Sequence, residues 1–434
     1  MPQKQTLAIL VGGGPAPGIN GVIAAATIEA INSGLRVIGI RQGYHWLARG
    51  DASRAAELQI ADVSRIHFTG GSILGTSRTN PARDEASLER AVSTLRELSV
   101  RYLVCIGGDD TTTAAAKIAE RAGNQLSVVT VPKTIDNDLP LPENLPTFGF
   151  ETARSAGTTV VESLMEDART TARWYTVVTM GRGSGALALG MCKAAGATLA
   201  LIPEEFLVSK LELTTVVDLI AGAIIKRSAF GRQDGVALIA EGLAGLLDPA
   251  SLPQAENVER DAYGHRRLGE IPLGLFIRDT VREALAGLGI EVTVANKEIG
   301  YELRCARPLP FDIDYTRTLG YGAVRYLLRG GSGAMIAIVN GRIMPLKLED
   351  LLEPDTGHIR TRGVDVTAES YQVARSYMIR LEAEDLEEPM LSRLAKETNL
   401  SPEAFRKRFL PAVVASAPFH RDSSPLPATD GQGI

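Results

Sequence analysis

What most limits the folds open to this chain is a recurrent pattern of short apolar runs, each closing on glycine or on small and polar residues. They fall at 7–11, 36–40, 102–106, 127–131, 176–180, 199–202, 235–240 and 335–339. Most are rich in β-branched side chains and do not alternate, as expected of strands buried on both faces of a parallel sheet. Longer segments with helical spacing separate them, at 19–32, 111–122, 158–169, 185–195, 280–288 and 319–328. Strands alternating with helices predict an α/β protein with doubly wound layers, whose ligands bind beyond the carboxyl ends of the strands. Glycine fits this reading: 43 of 434 residues, many directly after an apolar run, where sharp strand-to-helix turns are needed.

Composition narrows the function. At roughly 100–200 residues per domain, 434 residues suggest two or three domains. A net charge of -5 argues against non-specific binding to nucleic acid, which needs a basic surface. No apolar run reaches the roughly 18 residues of a membrane span, so no membrane partner is expected. Cys105, Cys192 and Cys305 lie too far apart to suggest a zinc site or a disulfide framework. The first residues lead straight into a strand rather than a signal peptide, and the default expectation is a cytoplasmic setting.

Three loops after strands concentrate the chemistry. The first, Gly12-Gly13-Gly14-Pro15-Ala16-Pro17-Gly18, exposes bare backbone N–H groups and opens a helix, which suits an anion. By itself it equally describes a tight turn that binds nothing. The second carries Gly107-Gly108-Asp109-Asp110. One carboxylate there can hold Mg²⁺, which takes one or two carboxylates with phosphate oxygens and water. Helix capping explains one of the acids comfortably and two adjacent ones less well. The third, Pro132-Lys133-Thr134-Ile135-Asp136-Asn137-Asp138, puts a lysine beside two acids. An aspartate here can take a proton from a hydroxyl, and the lysine can neutralise phosphate charge. A polar turn is the plain alternative.

These loops, with Leu74-Gly75-Thr76-Ser77-Arg78, Met180-Gly181-Arg182, Pro203-Glu204-Glu205, Ala240-Glu241-Gly242 and Gly300-Tyr301-Glu302-Leu303-Arg304, resemble in content and order the motifs of phosphofructokinases over roughly residues 5–385. The resemblance is to the pyrophosphate-dependent branch. Asp110 stands where ATP-dependent members have glycine in Gly-Gly-Asp-Gly, and Lys133 where they have glycine in Pro-Gly-Thr-Ile-Asp. A carboxylate about 4 Å from a nucleotide's α-phosphate would repel it by roughly 4 kcal/mol at an effective dielectric near 20, before solvent screening.

The resemblance implies two Rossmann-like lobes with the active site in the cleft between them. It implies a donor lobe over 1–147 with a return around 315–370 and a sugar-phosphate lobe over 148–314 with a contribution from 371–410; separately, the prolines, serines and weak periodicity of 411–434 lead us to expect a loosely held tail there. The substrates would be pyrophosphate and fructose 6-phosphate. Gly13, Gly14 and Lys133 would hold pyrophosphate, Asp109 Mg²⁺, and Asp136 would be the base. Lys133, Asp110 and Arg78 would act with it. Thr134, Ile135, Asp138, Met180, Gly181, Arg182, Glu241, Tyr301, Glu302, Leu303 and Arg304 would meet the sugar phosphate, with Arg304 on the 6-phosphate. Arg173 falls where relatives send an arginine into a neighbouring subunit, which implies a homodimer or a larger homo-oligomer.

There are departures: Gly183-Ser184-Gly185-Ala186 lacks the family's frequent histidine, and the usual Gly-His-x-Gln-Arg-Gly segment is absent. Rival readings are an ATP-dependent enzyme on the same scaffold, a non-catalytic sugar-phosphate-sensing subunit, and a lipid or dinucleotide kinase sharing only the Gly-Gly-Asp turn. Retention of Asp109 and Asp136 argues against the second, and the Tyr-Glu-x-Arg and Met-Gly-Arg segments against the third.

Overall fold

A computed structural model describes residues 4–248, 251 and 271–416. His265, to which the sequence assigns no chemistry, and most of the expected tail lie outside the described residues. Twelve strands are described: β1 (Thr6–Val11), β2 (Arg36–Ile40), β3 (Ala55–Glu57), β4 (Val100–Gly107), β5 (Ser127–Thr134), β6 (Phe148–Gly149), β7 (Trp174–Thr179), β8 (Leu199–Leu201), β9 (Gly235–Ala240), β10 (Val294–Ile299), β11 (Ala334–Val339) and β12 (Arg342–Lys347). They form an eight-stranded sheet in the order β12-β11-β5-β4-β1-β2-β3, with β6 beside β5, and a four-stranded sheet in the order β10-β7-β9-β8. Pairing is parallel except where β3 and β12 add antiparallel edges.

The first sheet is covered on both faces. Helices Ile19–Asn32 and Pro310–Leu328 pack together over one side, the latter's Leu319 sharing a core with Val11, Ile106 and Val131 of the sheet. Helices Glu85–Glu97 and Asp109–Ala122 cover the other. The second sheet is wrapped by Phe150–Thr171, Ala186–Ala195, Leu213–Ala229 and Leu273–Gly287, and the C-terminal helices join the same core through Phe405 and Phe409. Both layers are therefore doubly wound.

Register decides where the loops end up. Val11 pairs with Ile106, and Ile106 with Val131, so Gly12, Gly108 and Lys133 emerge along one rim. The chain leaves β1 for β2 on one side, while β4 takes the other. That is a switch point of the winding, where a crevice opens. In the second sheet Thr179 pairs with both Ala240 and Ile299, which sets Met180, Glu241 and Gly300 side by side.

Several expectations need correction. Residues 411–415 are not part of a loose tail: they complete the helix Pro402–Ala415, with Ala412 buried. The run expected as a strand over 176–180 ends at Thr179, so Met180 begins the loop. Helix 158–169 is the C-terminal part of a longer one, Phe150–Thr171, and helix 319–328 the end of Pro310–Leu328. Phe148 and Gly149 still belong to the first sheet. No helix among the described residues is long and apolar enough to cross a membrane.

Candidate active site

The loop after β1 is held tightly. Gly12 donates to the Ile106 carbonyl and Gly13 to the Ser77 carbonyl, each at 2.9 Å, so the segment carrying Arg78 lies alongside it. Thr111, in the first turn of helix Asp109–Ala122, would sit 2.3 Å from a Cβ on Gly12 and about as close to one on Gly107. Glycine at both positions lets this helix start against the sheet. Gly13 adopts φ 79°, the left-handed region that disfavours a side chain. Arg78 is exposed.

Lys133 is the next-to-last residue of the buried strand β5. Its ammonium donates to the Gly14 carbonyl at 2.6 Å and lies against Gly13. Burial, with Arg304 nearby, pulls its pKa down to about 8, against the opposite pull of Asp136, Asp109 and Asp138. Thr134 and Ile135 are buried beside it, and the Thr134 hydroxyl accepts from the Asp136 N–H at 3.0 Å.

Asp136 and Asp138 are 7% and 6% exposed, in a rim where carboxylates normally keep to water. Burial raises Asp136, against Arg182, Arg304 and Lys133, while the charge of Asp109 adds to the rise. Burial, Asp136 and Asp109 raise Asp138 to about 7, while Arg182 and the Thr134 hydroxyl oppose them. Burial thus holds both carboxyls above the ordinary aspartate range, and each raises the cost of ionising the other, as is common where acid–base chemistry is done.

The second sheet closes the cleft. Arg182 spans it, donating to both oxygens of Asp109 at 2.8 and 3.3 Å and reaching Asp138 at 3.7 Å. Its own backbone is at φ 53°. Glu241 fixes that turn: one carboxylate oxygen accepts from Gly181 N at 3.0 Å and Arg182 N at 2.7 Å. Burial raises Glu241, and the two N–H donors oppose it. Met180 is buried, with its N–H on the Ile299 carbonyl.

The segment 300–304 folds over the mouth. Leu303 is buried, Glu302 accepts from the Gly300 N–H at 3.1 Å, and Tyr301 is exposed beneath the Arg304 guanidinium, 5.0 Å from its ring centroid. Arg304 also crosses to the first lobe: its Cζ would lie 3.3 Å from a Cβ on Gly14. Burial lowers its pKa, while Asp136 pulls the other way.

Of the expected residues, Arg173 alone stands clear of this cleft. It precedes β7, so about six residues of strand, or roughly 20 Å, separate it from Met180. Its guanidinium is 3.8 Å from Asp167. Asp110 lies half-buried in the first turn after Asp109.

A divalent cation is compatible with this donor set. Asp109, Asp136 and Asp138 stand within electrostatic reach of one another. Among the described residues no three acids, histidines or cysteines are arranged to hold a metal alone. Asp109 would therefore share a Mg²⁺ with phosphate oxygens and water, which is how that ion is usually held.

Sequence reasoning missed Arg362. It lies in an irregular stretch without a motif, yet its guanidinium donates to the Asn137 carbonyl beside Asp136.

Known proteins resemble the chain in sequence and in fold. The family profile described as Phosphofructokinase matches residues 6–327. A pyrophosphate–fructose 6-phosphate 1-phosphotransferase of Thermotoga maritima is 54% identical, over 93% of this chain and 98% of its own. One from Naegleria fowleri is 50% identical, over 93% and 95%. Among solved structures, a pyrophosphate-dependent phosphofructokinase from Marinobacter aquaeolei shares the fold at a TM-score of 0.63 and 17% identity, covering 87% of this chain and 92% of that one.

Proposed function

The chain belongs to the phosphofructokinase family, and from that premise we propose that it reversibly transfers a phosphoryl group from pyrophosphate to the 1-hydroxyl of fructose 6-phosphate. The products are fructose 1,6-bisphosphate and phosphate. The observation that carries this reading is Lys133, whose buried ammonium rests on Gly14 within the fields of Asp136 and Asp109.

Asp136 takes the proton of the 1-hydroxyl, and the freed oxygen attacks the nearer phosphorus in line. Catalysis of this step is mostly positioning and charge stabilisation. Gly13 and Gly14 cradle pyrophosphate while Lys133, Arg78 and Arg304 offset its charge. Mg²⁺, when held by Asp109, supplies further neutralisation of the pyrophosphate. Met180, Gly181 and Arg182 line the sugar, and Glu241 keeps their turn in shape with a second oxygen left for a sugar hydroxyl. Tyr301, Glu302, Leu303 and Arg304 close over the phosphate end. Asp110 disfavours a nucleotide donor by repulsion. The lobe of the eight-stranded sheet holds the donor and the other lobe the acceptor. Arg173, placed away from its own cleft, completes the site of a second copy, which makes the enzyme at least a homodimer.

A coupled assay with fructose 6-phosphate and Mg²⁺, run with pyrophosphate and separately with ATP, tests the reading. We expect turnover with pyrophosphate to dominate; faster turnover with ATP overturns the donor assignment. Changing both Asp110 and Lys133 to glycine should collapse the pyrophosphate activity.

A further inference from the structure

The strand-end loops explain what reaches the substrates, but not what keeps the loop of Asp136 and Asp138 in shape. That loop turns on Asn137, a non-glycine residue at φ 56°. A left-handed residue of this kind persists only where its surroundings hold it. Its own neighbourhood supplies one brace, the Thr147 N–H donating to Asn137 Oδ1 at 3.0 Å.

The other braces come from a distant part of the chain. Arg362 Nε donates to the Asn137 carbonyl at 3.0 Å, and Nη2 to Asn137 Oδ1 at 2.7 Å. Nη1 reaches the Leu141 carbonyl at 3.1 Å, and Nη2 also reaches that of Leu145 at 2.5 Å. The Arg362 backbone N–H donates to the Asp138 carbonyl at 2.8 Å. None of these bonds is spent on a carboxylate. The planar fork thus ties up four acceptors spread over 137–145 and leaves both acid side chains facing the cleft.

The same strand of chain touches the other lobe two residues later. Val364 N donates to Glu204 Oε1 at 2.8 Å, and that oxygen also accepts from Gly185 N at 2.9 Å, just past the Met180–Arg182 turn. On the near side Ile359 is buried among Leu139, Leu141 and Met335, with its N–H on Thr113. Residues 359–364 therefore run as a strap from the floor of the first lobe, across the loop of the base, to the loop of the second lobe.

We propose that Arg362 is a positioning residue for phosphoryl transfer, holding the Asp136–Asp138 loop in its reactive shape through Asn137. The inference rests on the reaction proposed above. Lysine cannot replace the fork, because a single ammonium cannot span acceptors on three residues.

The test compares Arg362→Ala and Arg362→Lys with the unaltered enzyme in the coupled assay. We expect kcat to fall about 100-fold in the alanine variant and at least tenfold in the lysine variant. The KM for each substrate should stay within about threefold, and far-ultraviolet circular dichroism should be unchanged. Guanidinium ion at millimolar concentration should restore part of kcat in Arg362→Ala, and ammonium ion should not. A kcat within twofold of the unaltered enzyme in either folded variant overturns the proposal, as does a loss carried entirely by KM. If Arg362→Ala does not fold, the lysine variant decides by the same kcat and KM criteria. Should the unaltered enzyme prefer ATP, the donor reading fails, and the same comparison is then made with ATP.

Discussion

Two groups of charged side chains are buried in the second half of this molecule and at its cleft, and they are built in opposite ways. Behind the second sheet Glu205 and Arg380 are both wholly buried, paired at 2.8 Å, with Arg375 on Glu382 close by at 2.6 Å. Burial pulls Arg380 down, but Glu205 and Tyr371 outweigh it and keep the guanidinium charged. At Asp138 and Lys133 in the cleft, burial prevails over the opposing charges, whereas the acids around Arg182 keep that guanidinium charged. Burial lifts Asp138 to about 7 and drops Lys133 to about 8. The first group is a matched pair that locks segment 371–385 to the sheet. The second is an unmatched set whose protons are easily moved. Burial of charge alone does not mark a site; a buried acid and a buried base both drawn toward neutral pH in one cleft do.

The sharpest way to break this contrast is to remove the base. We expect Asp136→Asn to lower kcat by about 10³-fold or more while the protein stays folded, since general-base groups contribute up to about 10⁴. The coupled assay measures it, and a residual rate within tenfold would take Asp136 out of that role.

The matching cut in the other group should do the reverse. Glu205→Ala strands the Arg380 charge in the interior, which typically costs about 3–5 kcal/mol. Urea denaturation should show that loss, with kcat per folded molecule little changed. A stable variant with impaired turnover would erase the distinction between the groups.

The third effect is smaller and depends on pH. Asp138 sits at about 7 when folded, against an ordinary 3.8. Between those values the folded chain holds a proton that the unfolded chain has released. Asp138 therefore favours folding below about pH 4, and that contribution is lost as pH rises through about 7. Relative to Asp138→Asn, the unaltered protein should lose a few kcal/mol between pH 4 and 7.5, read by denaturation at each pH. Parallel curves would contradict the raised value.

The smallest effect is a basic limb. Lys133 releases its proton near pH 8, so activity should fall about tenfold per pH unit above that. Arg stays protonated throughout this range. Whatever activity remains in Lys133→Arg should lack this limb; an identical limb in both enzymes would assign it to another group.

Much of the site was legible because a parallel sheet delivers the residue after each strand to one rim. Gly12, Asp109, Lys133, Met180 and Glu241 each follow a buried apolar run, so finding the runs found the loops. Strands that the apolar pattern missed are edges. Every residue of β12 is at least partly exposed, and β10 has its interior residues exposed or half-exposed. The Asn340-Gly341 turn between β11 and β12 carried a hairpin signal nonetheless, with φ 49° and 71°. Arg362 left no trace in the sequence, because it serves backbone carbonyls, which every residue type displays.

The sequence by itself determined the alternation of strands and helices, the glycines at the strand ends and the identity of the acids and bases that follow them. These depend on neighbours within a few residues. Only the tertiary structure decided that Arg182 grips Asp109 from the opposite lobe, that Arg304 lies over Gly14, and that a strap near residue 362 braces the loop of the base. Those contacts join positions 70 to 290 residues apart. No local preference encodes such pairings; they follow from how two independently packed sheets meet.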